Sequence, residues 1–158
     1  MKSNILLLLI VCLFAIGISA QDIEAIQVDQ IESFCCESVR AQLDSYLIEV
    51  KNDPDAKGYI IFYGGKRHPF CAGSRQGDLP RHGELSLLIT TLEQHIKFRK
   101  FAPERIAWIN GGYRENWSVE FWLASKNAAP PVPMPTVHKR DIKYAKGKPF
   151  SIGASCEQ

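Results

Sequence analysis

The chain has 158 residues and a formal net charge of +2, a length that suits one domain and excludes two comfortable ones. Charge is unevenly spread. Nine acids lie between Asp22 and Asp55 against only Arg40 and Lys51, while Lys66, Arg67, Arg75, Arg81 and later Lys139, Arg140, Lys143, Lys146 and Lys148 make the rest basic. These clusters read most simply as a solvated loop and tail, with patches for anionic polymers or lipid headgroups as the alternative; no nucleic-acid recognition motif accompanies them.

Lys2, the apolar run Ile5 to Ile16 and the small residues Gly17-Ile18-Ser19-Ala20 have the order of a secretory signal peptide. A bilayer span needs roughly 20 apolar residues, more than this run supplies. Residues 1–20 are therefore expected to direct export to a periplasmic or extracellular site, and no later segment reads as transmembrane. Past the leader the chain carries Cys35, Cys36, Cys71 and Cys156, an even count that predicts disulfides in an oxidising compartment. A bond within the Cys35–Cys36 doublet would strain its peptide. The two pairings that tie the doublet to Cys71 and Cys156 both remain.

Residues 21–37 read as a polar leader without a firm period. From Ser38 to Lys51, Val39, Leu43, Tyr46, Leu47 and Val50 recur at helical spacing, and Asn52-Asp53-Pro54 ends the helix. The unbroken run Tyr59-Ile60-Ile61-Phe62-Tyr63 predicts a strand covered on both faces, closed by Gly64-Gly65. Residues 66–83 form a loop. A second helix is expected over 84–98, with Leu85, Leu88, Ile89, Leu92 and Ile96 on one face. A strand over Ile106–Ile109 ends at the turn signal Asn110-Gly111-Gly112. In the last strand, Ser118 to Leu123, Val119, Phe121 and Leu123 alternate with Glu120 and Trp122, which predicts one buried face and one partly wet. Residues 126–135 hold four prolines and read as an extended linker, and residues 136–158 as a basic tail. The expected fold is a two-layer α+β domain: a small mixed sheet of about three strands, with two main helices on one face.

The element order over Ser38–Leu123, the Gly64-Gly65 strand exit, Glu84-Leu85-Ser86 at the helix start, Arg105-Ile106 and Gly111-Gly112-Tyr113 together resemble the OmpA-like periplasmic domain. The resemblance implies a peptidoglycan-associating role through an aspartate after the first strand and an arginine in the next helix. This chain has Gly64-Gly65-Lys66-Arg67 at the first place and Ile89 at the second, so that ligand chemistry does not carry over.

The chemistry that remains is a basic loop, Lys66, Arg67, Arg75 and Arg81, and the patch Arg114, Glu115 and Trp117, whose charges and aromatic ring suit a polar ligand, although a tight turn with Arg114 and Glu115 solvated and Trp117 covering the sheet edge accounts for it more simply. Cys71 with His68 and His82 is the cluster for a small secreted hydrolase or thiol enzyme, though a disulfide role accounts for Cys71 more simply. No metal-ligand spacing, phosphate loop or nucleophile elbow occurs, and neither a cofactor nor a metal is expected. The leading expectation is an exported, non-catalytic binding or structural module of the cell envelope, with cell wall or another envelope protein as partner.

Overall fold

The computed structural model describes residues 24–32, 34, 36–68 and 78–149. The leader, Cys35, Cys71, Arg75 and Cys156 lie outside the described residues, as does the Cys36 side chain, so the expected disulfides lie outside them too. The order is β1 (Ile26–Ile31), α1 (Cys36–Asn52), β2 (Lys57–Gly65), α2 (Glu84–Phe98), β3 (Ile106–Arg114) and β4 (Ser118–Ala124), with short 3₁₀ turns at Pro103–Arg105 and Lys139–Asp141. The sheet runs β1-β4-β2-β3. β2 is parallel to β3, and β4 is antiparallel to both β1 and β2. Among the described residues no helix is long and apolar enough to cross a membrane.

The two-layer α+β architecture follows from the periodicities. The five α1 positions expected on the buried face, Val39, Leu43, Tyr46, Leu47 and Val50, are buried, and they meet Leu88, Leu92 and Ile96 of α2 over Ile60, Ile106, Val119 and Phe121 of the sheet. Tyr46 packs its ring on Phe121 at 4.8 Å. Its hydroxyl donates to the carbonyls of Tyr59 and Trp122, at 3.2 and 3.0 Å, so a buried polar tip is satisfied. Burial holds that phenol far above its ordinary range. Arg105 closes the end of α1: its Nη2 donates to the carbonyl of Val50 in the last turn, which the helix end leaves without a partner, and to those of Asp53 and Ala56 in the turn that follows, at 2.5, 2.6 and 2.9 Å.

Three expectations are corrected. The polar leader contains a strand, β1, so the mixed sheet has four strands where about three are expected. β1 is an edge strand in which only Ile31 is buried, which leaves no alternation to read, and a bulge between Gln27 and Asp29 breaks its register. Asn110-Gly111-Gly112 does not end β3. The strand continues to Arg114 across a register shift opposite Phe62–Gly64, with Gly112 at φ 85° and its N–H donating to Asn110 Oδ1 at 2.9 Å. Such bulges use glycine because it reaches positive φ at little cost.

The third correction concerns the far face of the sheet around Glu120, which is buried, while Trp122 on the same face is half-buried as expected. After β4 the chain turns at Asn127 (φ 70°) and returns over that face. Ala129 bridges Glu24, and Val137 bridges Tyr113. The proline-rich segment read as a linker is thus a strap with Pro131 buried. It lies over Tyr63 and Glu120, both almost fully buried. Glu120 accepts from Tyr63 Oη at 3.2 Å, Trp122 Nε1 at 3.0 Å and Arg114 Nη1 at 2.7 Å. The Arg114 guanidinium sits 3.5 Å from the Tyr63 ring centroid and donates to the Met134 carbonyl at 3.2 Å. Met134 N–H in turn donates to Tyr63 Oη at 3.2 Å. A proline-rich segment lacks the N–H groups for a full ladder, so side chains of the sheet hold it in place.

On the outer side Asp44 of α1 accepts from Arg99 Nε at 2.7 Å and contacts His95 Nε2 at 2.8 Å. The Arg99 hydrogen bond holds the Asp44 carboxyl below its usual value of 3.8; burial opposes this, and His95 adds to it. A carboxyl depressed in the folded state stabilises above its unfolded pKa and loses that contribution as pH falls through the folded one. Asp44→Asn is therefore expected to be less stable than the parent at pH 7. Urea midpoints of the two proteins should converge between about pH 4 and pH 2; a gap unchanged over that range would contradict the assignment.

Candidate functional site

Gly64 and Gly65 end β2 beside the neighbouring strand β3, and α2 begins next to them. Between these ends lies a cleft of about 430 Å³. The C-terminal ends of parallel strands are where open α/β sheets place ligands, and a helix N-terminus adds a positive field. The floor is Phe62, Leu85, Ile89 and Trp117. The walls are Arg67, Arg81, His82, Glu84, Tyr113, Lys139 and Tyr144. Arg67, Arg81 and Lys139 are permanent cations, against the single carboxylate of Glu84.

Local sequence explains how the walls are set. Gly83 caps α2 at φ 89° without a side-chain cap, and Glu84 occupies the first turn, where a negative charge suits the helix dipole. Its Oε2 lies 2.8 Å from His68 Nδ1, with both side chains almost wholly inaccessible. That pair ties the end of β2 to the start of α2. His68 N–H also donates to the Asp78 carbonyl at 2.8 Å, which brings the two ends of the intervening loop together. The tail supplies the outer wall. Ala145 bridges Arg81, Ala145 N–H donates to the Pro80 carbonyl at 2.9 Å, and Arg81 Nη1 donates to the Lys148 carbonyl at 3.1 Å. His82 stacks on Tyr144 at 3.9 Å. The Tyr144 hydroxyl donates to Tyr113 Oη at 3.3 Å, and its phenol is pushed up to about 12 by burial and by that neighbour.

The residues singled out from sequence divide. Arg67, Arg81 and Trp117 come together at the cleft. Trp117 is a core residue, packed edge-on against Phe34 at 6.0 Å, and it offers no exposed ring for stacking. Lys66 and Glu115 pair with each other at 2.7 Å on the surface, a contact worth at most about 1 kcal/mol. Arg114 points to the opposite face and belongs to the strap network. Arg75 lies outside the described residues. Sequence reading missed Tyr113, Lys139, Tyr144 and Glu84 as cleft residues. Tyr113 had a signal, since it sits in the Gly-Gly-Tyr-Arg patch, and Glu84 had one as the acid of a helix start. Lys139 and Tyr144 arrive only through the folded-back tail, for which no local pattern exists.

Two buried polar atoms of cleft residues, Glu84 Oε1 and Trp117 Nε1, have no hydrogen-bond partner among the described residues. One is an acceptor and the other a donor, so together they suit a ligand or solvent group that offers both functions. Among the described residues no group of three or more His, Cys, Asp or Glu side chains is placed to hold a metal ion. A scan against protein-family models and searches of curated proteins and of solved structures return no match.

Proposed function

We propose that the chain is an exported, non-catalytic binding module of the cell envelope that takes an anionic cell-wall group in the cleft between β2, β3 and α2. The observation that carries the reading is the convergence of Arg67, Arg81 and Lys139 on the start of α2, where charge and helix field act in the same direction. The unpartnered Glu84 Oε1 and Trp117 Nε1 add one acceptor and one donor for the ligand's polar groups. Export rests on the leader sequence.

The OmpA-like resemblance supports the same location, because its element order is that of α1, β2, α2, β3 and β4. Ile89, at the position where that family has arginine, lines this cleft. Positive charge comes instead from the loop and the tail, which is a different way of meeting a carboxylate. The thiol-enzyme alternative is less well supported. The His68 ring is committed to Glu84, and His82 to Tyr144, while Cys71 lies outside the described residues.

The test is retention of the purified protein on insoluble peptidoglycan, compared with vesicles of anionic lipid. Retention on peptidoglycan that falls at least about tenfold in the charge reversal Lys139→Glu, a loss of roughly 1.4 kcal/mol, is the expected result. Lys139 is exposed, so the variant should fold. Equal retention of parent and variant, or none of the parent, would remove the cleft from the account.

A further inference from the structure

A second and larger cavity, about 590 Å³, opens on the helical layer where α2 ends, lined by Asp44, Leu47, Ile48 and Lys51 of α1 and by residues 99–102 and Arg105. The cleft lies at the start of α2, so the two sites are separated by that helix, about 22 Å long at 1.5 Å per residue. We propose that this cavity binds an anionic amphiphile: a single carboxylate or similar head group carrying an apolar body, held head-first by Lys51 and Lys100.

Chemical complementarity is the first argument. Leu47, Ile48, Phe101 and Ala102 form an apolar wall, and Ile48 remains 57 % exposed. Cations rim that wall. The one carboxylate present, Asp44, is bonded to Arg99 and His95 and leaves no net negative charge to repel a ligand. Arg105 is engaged with the carbonyls of Val50 at the end of α1 and of Asp53 and Ala56 just beyond it, which offsets the negative end of that helix. The side-chain ammonium groups of Lys51 and Lys100 have no hydrogen bond or ion pair to another described residue. A cavity of this size with an apolar lining and a few fixed charges matches the usual form of small-molecule sites.

The second argument is conformational and independent of charge. Lys100 has φ 53°. Its N–H donates to the Lys97 carbonyl at 2.9 Å, and Phe101 N–H to the Ile96 carbonyl at 3.2 Å. This is the helix-ending arrangement in which glycine normally occupies the left-handed position. A lysine there is strained relative to glycine, and strain of this kind concentrates where a side chain has a role. Here the residue that bears the strain is one of the two lysines at the cavity.

Lys100→Gly separates the two roles, because it relieves the backbone while removing the charge. The experiment is calorimetric titration of the 158-residue chain with dodecanoate kept below its micelle-forming concentration, alongside neutral dodecanol. Saturable binding of one dodecanoate per chain is expected, at least about tenfold tighter than dodecanol. The double variant Lys51→Ala/Lys100→Gly should bind dodecanoate at least about tenfold more weakly, while Lys100→Gly alone keeps or raises the thermal midpoint. No binding, or affinity unchanged in the double variant, overturns the assignment. So does a chain that ignores monomeric dodecanoate yet sediments with phosphatidylglycerol vesicles through the same lysines. That result would describe a membrane surface and not a cavity.

Discussion

Replacing Glu120 with alanine is expected to cost about 3–5 kcal/mol of folding free energy, the range for removing one partner from a buried ion pair. Glu120 is nearly inaccessible and accepts three hydrogen bonds, from Arg114, Tyr63 and Trp122. Without it the Arg114 guanidinium stays packed on the Tyr63 ring, beneath the strap, with its countercharge gone. Unpaired charge away from water is what makes the loss large. The pair itself is worth less than its removal costs, because burying two ions is expensive to begin with.

Two consequences distinguish this account from simple loss of packing. Glu120→Ala made in an Arg114→Ala background should cost clearly less than it does in the parent, since the orphaned charge is then absent. Backbone amides of residues 128–137 should also exchange faster in Glu120→Ala, because Tyr63 and Arg114, which bond the strap through Met134, lose their anchor. Urea unfolding and amide exchange measure the two effects. A cost below about 1 kcal/mol, as for a surface pair, would contradict the buried network.

Gly58→Ala is the second expected large effect, about 1–3 kcal/mol by overpacking. A Cβ at this position would meet the Tyr46 hydroxyl, come within 2.8 Å of Ile106 Cδ1 and 3.0 Å of Val50 Cγ2. Tyr46 needs that closeness, since its hydroxyl crosses Gly58 to reach the carbonyls of Tyr59 and Trp122. The clash is therefore partly with a removable group. Tyr46→Phe alone should cost about 1 kcal/mol through its lost hydrogen bonds. Combined with Gly58→Ala it should cost less than the sum of the single changes. Additive losses would mean that Ile106 and Val50, and not the hydroxyl, set the limit on residue 58.

The helical layer was legible in sequence because its signal is local. Val39, Leu43, Tyr46, Leu47 and Val50 repeat at three and four residues, and all five are buried as that period demands. The apolar run of β2 announced two covered faces, and Ile60, Ile61 and Tyr63 are fully buried. What covers the second face was not legible. Glu120 in an alternating strand reads as a solvent-facing charge, and only the returning strap, about 14 residues further along the chain at Met134, makes it a buried anchor. β1 was hidden for a related reason, because an edge strand with one buried side chain has no period.

The candidate site divides along the same line. Arg67 and Arg81 were visible as basic residues in a glycine- and proline-rich loop. Trp117 was found for the wrong reason, as a binding ring, when it is core. Arg114 stands one residue from Tyr113 in a strand, so the two project to opposite faces; Tyr113 enters the cleft and Arg114 the strap network. The Glu84–His68 pair spans 16 positions, and Lys139 and Tyr144 reach the cleft from more than 50 positions beyond the start of α2 at Glu84. Sequence periodicity carries no information over such separations.

The measurement that bears most directly on the central claim is amide chemical-shift mapping of the ¹⁵N-labelled protein during titration with soluble muropeptides released from peptidoglycan. The account expects saturable shifts at Gly64, Gly65, Leu85, Ser86 and Tyr113, with the helical cavity around Lys100 undisturbed. Shifts scattered over the surface, or confined to residues remote from the start of α2, would contradict it.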